Sequence, residues 1–61
     1  MKRNELLRHL SKNYCELLRE GSRHSIWRNI RLGNMTAIPR HSEIKEFMVL
    51  KICRDLDIDK P

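Results

Sequence analysis

Tyr14-Cys15-Glu16-Leu17-Leu18-Arg19-Glu20-Gly21-Ser22-Arg23-His24 is the stretch on which the fold of this 61-residue chain turns. Read forward, Tyr14, Leu17 and Leu18 continue the 3.6-residue spacing of Leu6, Leu7 and Leu10, and no breaker stands before Gly21. Local preference then favours one helix from Asn4, whose side chain can cap it, to Arg19, with Gly21 as its C-cap. Its long apolar stripe would need a second chain, through exchange of the extended helix in a homodimer. Read backward from the Gly21-Ser22 turn signal, the first helix ends near Asn13. Cys15 to Arg19 is then a strand, hairpinned onto a second strand that carries His24. The spacing of the residues leaves both readings open.

Downstream of the turn, the alternation of Ser25, Ile26, Trp27 and Arg28 suits an extended strand, with Trp27 placed as a core residue rather than a base-stacking platform. Asn29 to Asn34 reads as a connecting loop, and Met35 to Ile38 as a short strand stopped by Pro39. Ser42 can cap a second helix with Glu43 against its positive end. Ile44, Met48, Ile52 and Leu56 recur every four residues along that helix, and Phe47, Val49 and Cys53 widen the stripe. Asp55, Asp57 and Asp59 read as a solvated acidic tail rather than a metal site.

A chain of this length forms one domain over residues 1–61, and a domain so small has a marginal core of its own. Thirteen Lys and Arg against eight Asp and Glu give a formal net charge of +5. The basic residues are also segregated: no carboxylate lies between Glu20 and Glu43, where Arg23, His24, Arg28, Arg31, Arg40 and His41 all fall. Such a surface binds nucleic acid through phosphate contacts, although a solvated basic face or an acidic protein partner would also account for it. The basic start is interrupted by Arg8, His9 and Lys12 before a signal-peptide core can form, so the chain reads as a cytoplasmic domain without a membrane span. Cys15 and Cys53 lack the spacing of metal ligands and read as reduced, buried thiols.

The chemistry in this basic stretch centres on His24. Imidazole has a reference pKa of about 6.5, so at neutral pH it can take a proton from a ribose hydroxyl while arginines steady the phosphate. A histidine beside a turn is more often an ordinary surface residue, and the assignment needs further support.

That support comes from the order of motifs. A Gly21-Ser22-Arg23-His24 turn follows the first helix, and Ile38-Pro39-Arg40-His41 precedes a last helix reading Ser42-Glu43-Ile44-Lys45 into Val49-Leu50-Lys51-Ile52-Cys53-Arg54-Asp55-Leu56. Together they resemble the HicA toxin family over nearly the whole chain. The resemblance implies an α+β, double-stranded-RNA-binding-domain-like fold of order α-β-β-β-α, with a three-stranded antiparallel sheet and two helices on one face. It also implies a toxin that cleaves mRNA and is neutralised by a HicB antitoxin. The family's active histidine follows a Gly-Ser or Gly-Gly pair, often immediately; here Arg23 intervenes and His24 is the match. Members often carry glycine at the end of the first helix, where this chain has Tyr14, and proline after the second strand, where it has Ile30.

On this reading the chain is a metal-independent endoribonuclease without a cofactor. His24 is the general base on a 2′-hydroxyl, Arg23, Arg28 and Arg40 bind phosphate, and His41 is a candidate RNA contact and proton donor. A non-catalytic RNA- or antitoxin-binding module of the same fold is the alternative.

Overall fold

The computed structural model describes residues 1–61. Its elements run α1 (Arg3–Lys12), β1 (Cys15–Glu20), β2 (His24–Asn29), β3 (Met35–Pro39) and α2 (Glu46–Asp55). The strands form an antiparallel meander in the order β1-β2-β3, so β2 is central and the other two are edges. This is the α-β-β-β-α, double-stranded-RNA-binding-domain-like arrangement that the resemblance implied. The extended first helix, and the helix exchange built on it, are overturned.

The reason lies at Asn13 and Tyr14. Asn13 caps α1 from its C-terminal side: its backbone N–H donates to Leu10 O, and its side-chain Nδ2 donates to His9 O at 2.9 Å. Tyr14 then adopts φ = 64°, the left-handed conformation in which helices commonly end, usually on glycine. A tyrosine there costs about 1–2 kcal/mol in sterics. Two contacts offset it. Ile30 N–H donates to Tyr14 O at 2.9 Å, and the Arg31 guanidinium lies 3.7 Å from the ring centroid. Leu17 and Leu18, which continue the helical spacing in sequence, stand on an edge strand at 47% and 44% exposure. A bulge between Leu17 and Arg19 leaves Leu18 without a partner on β2.

One face of the sheet carries the core. Cys15 from β1, Trp27 from β2 and Ile38 from β3 pack with Leu6 and Leu10 of α1 and with Val49, Ile52, Cys53 and Leu56 on or just beyond α2. Trp27 is therefore a core residue, and both cysteines are buried and free. Desolvation pushes both thiols above their usual range, which disfavours the reactive thiolate. Asn29 is buried with its amide in use. Nδ2 donates to Leu56 O at 2.8 Å, and Oδ1 accepts from the Arg31 and Leu32 N–H groups, fixing the turn into β3.

Both expected N-caps are displaced. α1 is capped by Lys2 and α2 by Lys45, neither with a side-chain hydrogen bond, so Asn4 and Ser42 do not cap. Long-range backbone pairing decides this at α2. Arg3 N–H donates to Ser42 O, Ile44 N–H donates to Met1 O, and Lys2 bridges Glu43, so the segment stays extended and the helix waits until Glu46. Ile44 is still buried, as an anchor ahead of the helix. Phe47, expected in the core stripe, points outward at 64% exposure: Val49, Ile52 and Cys53 take the inner face, and a residue two positions before Val49 lies on the opposite side of the helix.

Candidate functional site

The basic residues converge at the end of the sheet where β1 turns into β2 and β3 leaves. Gly21 makes this turn tight by close approach rather than by an unusual φ. Its N–H donates to His24 O at 2.8 Å, and a Cβ on Gly21 would lie 2.8 Å from that same oxygen. Any side chain there would push against backbone. The closure delivers His24 to the first position of β2.

From that position the alternation of the strand sorts the side chains. Ser25, Trp27 and Asn29 turn into the core, while His24, Ile26 and Arg28 take the opposite, uncovered face. His24 pairs with Pro39 across the β2–β3 ladder, so the chain leaving β3 runs past it. Ser22, Arg23, His24, Pro39, Arg40 and His41 line one cleft, and none of its walls is apolar apart from Pro39. The structure thus brings His24, Arg23, Arg40 and His41 together. Arg23, His24, Arg40 and His41 are all exposed.

Arg28 lies elsewhere. It is four residues along β2 from His24, about 13 Å in an extended strand, and it is ion-paired with Glu16, its partner in the β1–β2 ladder. It shares the uncovered face with the histidine but not the cleft. Arg40 is also partnered: Nη1 lies 3.3 Å from Glu20 Oε1 and donates to Gly21 O at 3.1 Å, which aims the side chain back over the turn.

Sequence reasoning overlooked the groups beneath this cleft. Arg3, from the first turn of α1, donates from Nε to Pro39 O at 2.9 Å and from Nη2 to Ser25 Oγ at 2.8 Å. Ser25 in turn donates to Glu20 Oε1. The signal that could have found Ser25 was a hydroxyl at an inward position of an alternating strand; Arg3, 22 residues away, carried none.

Nowhere does the chain group three His, Cys, Asp or Glu side chains as a metal site would require, and no helix is long and apolar enough to cross a membrane. The arrangement offers two imidazoles and two guanidiniums around a space open to solvent, which is the equipment for moving protons at an anionic phosphodiester.

Comparison with known proteins adds a family. The model of the HicA toxin of bacterial toxin-antitoxin systems matches residues 3–58, which includes every element and the whole cleft. No curated protein and no solved structure matches the chain. With all but its first two and last three residues matched, the chain belongs to the HicA toxin family.

Proposed function

We propose that this toxin is an endoribonuclease that cleaves mRNA in the cytoplasm without a metal ion, and that the antitoxin partner its family implies is of the HicB type. The observation that carries the reading is the convergence of His24 and His41 with Arg23 and Arg40 in one polar cleft.

His24 takes the proton of a ribose 2′-hydroxyl, and the freed oxygen attacks the adjacent phosphorus. The bond from phosphorus to the 5′-oxygen breaks, and the leaving oxygen takes a proton from the protonated His41. The products are a 2′,3′-cyclic phosphate and a 5′-hydroxyl. Arg23 and Arg40 balance the charge that grows on the non-bridging oxygens, as preorganised cations do in phosphoryl chemistry. Arg28 meets the backbone further along the same RNA.

Incubating the purified protein with RNA in EDTA tests this. Cleavage that leaves 2′,3′-cyclic ends is expected. His24→Ala should lower the rate by about 10² to 10⁴, the usual contribution of a general base, with circular dichroism unchanged. Cleavage by His24→Ala at the wild-type rate would remove the histidine from the chemistry. RNA binding without cleavage by the wild type would leave the non-catalytic module as the function.

A further inference from the structure

Three polar side chains are buried in this domain. Asn29 organises the β2–β3 turn and Thr36 donates to Asp55 Oδ2 at 3.1 Å, so each is explained by the fold. Ser25 is fully buried, and neither a turn nor a helix end needs it. A valine in its place would suit a strand facing two helices better.

What Ser25 does is join two opposite charges, Arg3 of α1 and Glu20 of β1. It accepts from Arg3 Nη2 and donates to Glu20 Oε1, while Arg3 Nε holds Pro39 O. Ser25 follows His24, Pro39 is paired with His24, and Glu20 is paired with Ser25. Glu20 also holds Arg40, which donates to Gly21 O, and Gly21 closes the turn on His24 O. Arg3 therefore ties the backbone of Pro39, which is paired with His24, to the side chain of Ser25, which follows His24, and reaches Arg40 through one hydroxyl and one carboxylate.

We propose that Arg3 is a positioning residue for His24 and Arg40, acting through Ser25, Pro39 and Glu20 and touching no substrate. The proposal rests on the ribonuclease reading for its kinetic consequence. Its structural consequence does not depend on turnover. An ion-linked group of this kind is weak evidence of stabilisation. Holding two reacting groups in register accounts for its place, since a small misplacement of a catalytic group costs up to about 10²-fold in rate.

The test uses Arg3→Ala, Arg3→Lys, Ser25→Ala and the double variant Arg3→Ala with Ser25→Ala, in the full chain. Arg3→Ala should lower kcat about tenfold or more, with KM for an RNA oligonucleotide changed by less than about twofold. The double variant should lose less than the product of the two single losses, because both changes break the Arg3–Ser25 bond. Arg3→Lys should recover only part of the rate, since an ammonium cannot reproduce the two-armed grip of a guanidinium. In parallel, the His24 imidazole resonances should shift or broaden in Arg3→Ala, a readout that holds even for a protein that cleaves nothing. If Arg3→Ala does not fold, Ser25→Ala, which deletes one hydroxyl, carries the same expectations for kcat and for the resonances. Unmoved His24 resonances overturn the proposal. So does wild-type kcat, or a raised KM at unchanged kcat, which would make Arg3 an RNA contact. Failure of the wild type to cleave RNA in EDTA would instead overturn the ribonuclease reading.

Discussion

The guanidinium of Arg31 lies over the ring of Tyr14, 3.7 Å from its centroid, and this contact holds a tyrosine in a backbone conformation suited to glycine. The pair joins the end of α1 to the turn between β2 and β3. The place where the chain stops being a helix is therefore set partly by residues 16 and 17 positions downstream.

Substitutions at Tyr14 should separate the two terms. In Tyr14→Gly the relief of about 1–2 kcal/mol of left-handed strain is offset by loss of the stack, about 0.5–1 kcal/mol, and by the greater freedom of an unfolded glycine, about 0.5–1 kcal/mol. Stability should stay within about 1 kcal/mol of wild type, and the mass in solution should not change, because β1 already exists. Tyr14→Val keeps the strain, stiffens the side chain and loses the stack, so it should be destabilised by about 2 kcal/mol. Chemical denaturation with light scattering reads both. A change of mass on Tyr14→Gly would contradict the strand at Cys15–Glu20.

Gly21→Ala tests the turn. Its Cβ would come within 2.8 Å of His24 O, a backbone atom that the β2–β3 pairing holds in place. Either the turn opens or the strand shifts, and each displaces His24. Cleavage should fall by about 10²-fold while most of the stability remains, a loss of about 1–3 kcal/mol. Wild-type activity in Gly21→Ala would mean that the close approach is not needed for the chemistry.

These positions also show what could be read in advance. The cleft was legible because Gly21-Ser22 and Pro39-Arg40-His41 act locally: a tight closure and a strand stop fix where His24 and His41 leave the sheet. The choice between helix and strand at Cys15–Glu20 was not, since propensity there favoured a helix and the deciding contacts, Ile30 to Tyr14 O and Arg31 on its ring, are long-range. Ser42 misled for the same reason. Its neighbours look like a capping sequence, and only pairing with Met1–Arg3 keeps them extended. Arg3 was invisible because a basic residue in a first helical turn ordinarily faces water.

Asp55 should govern part of the acid sensitivity of the fold. A hydrogen bond from Lys51, then one from Thr36, with the charges of Lys51 and Arg54, hold its carboxyl below the usual range. A depressed pKa in the folded state means stability that is present above the unfolded value, about 3.9, and lost as the pH falls through the folded one. Asp55→Asn should therefore lower Tm at neutral pH and lose less than wild type between about pH 6 and pH 3. Glu43, held low by the Met1 α-ammonium, is common to both proteins and leaves some acid sensitivity in the variant. Equal losses of Tm on acidification would remove Asp55 from the linkage.

The separation of Arg28 from the cleft makes the length of the RNA a test of its role. Arg23 and Arg40 stand beside His24, whereas Arg28 is about 13 Å away along β2 and paired with Glu16. A dinucleotide reaching the histidine cannot also reach Arg28, so Arg28→Ala should leave dinucleotide cleavage unchanged while Arg23→Ala and Arg40→Ala slow it. On the proposed ribonuclease reading all three cations meet phosphates of a long RNA, so each substitution should make the slope of log affinity against log salt shallower by about 0.7, the single-strand value per contact. Glu16→Gln should act in the opposite sense on the long RNA, because it frees the Arg28 guanidinium from its ion pair and removes a carboxylate from the uncovered face. Arg28→Ala slowing dinucleotide cleavage as much as Arg23→Ala would place the scissile phosphate in the middle of the strand rather than at its His24 end.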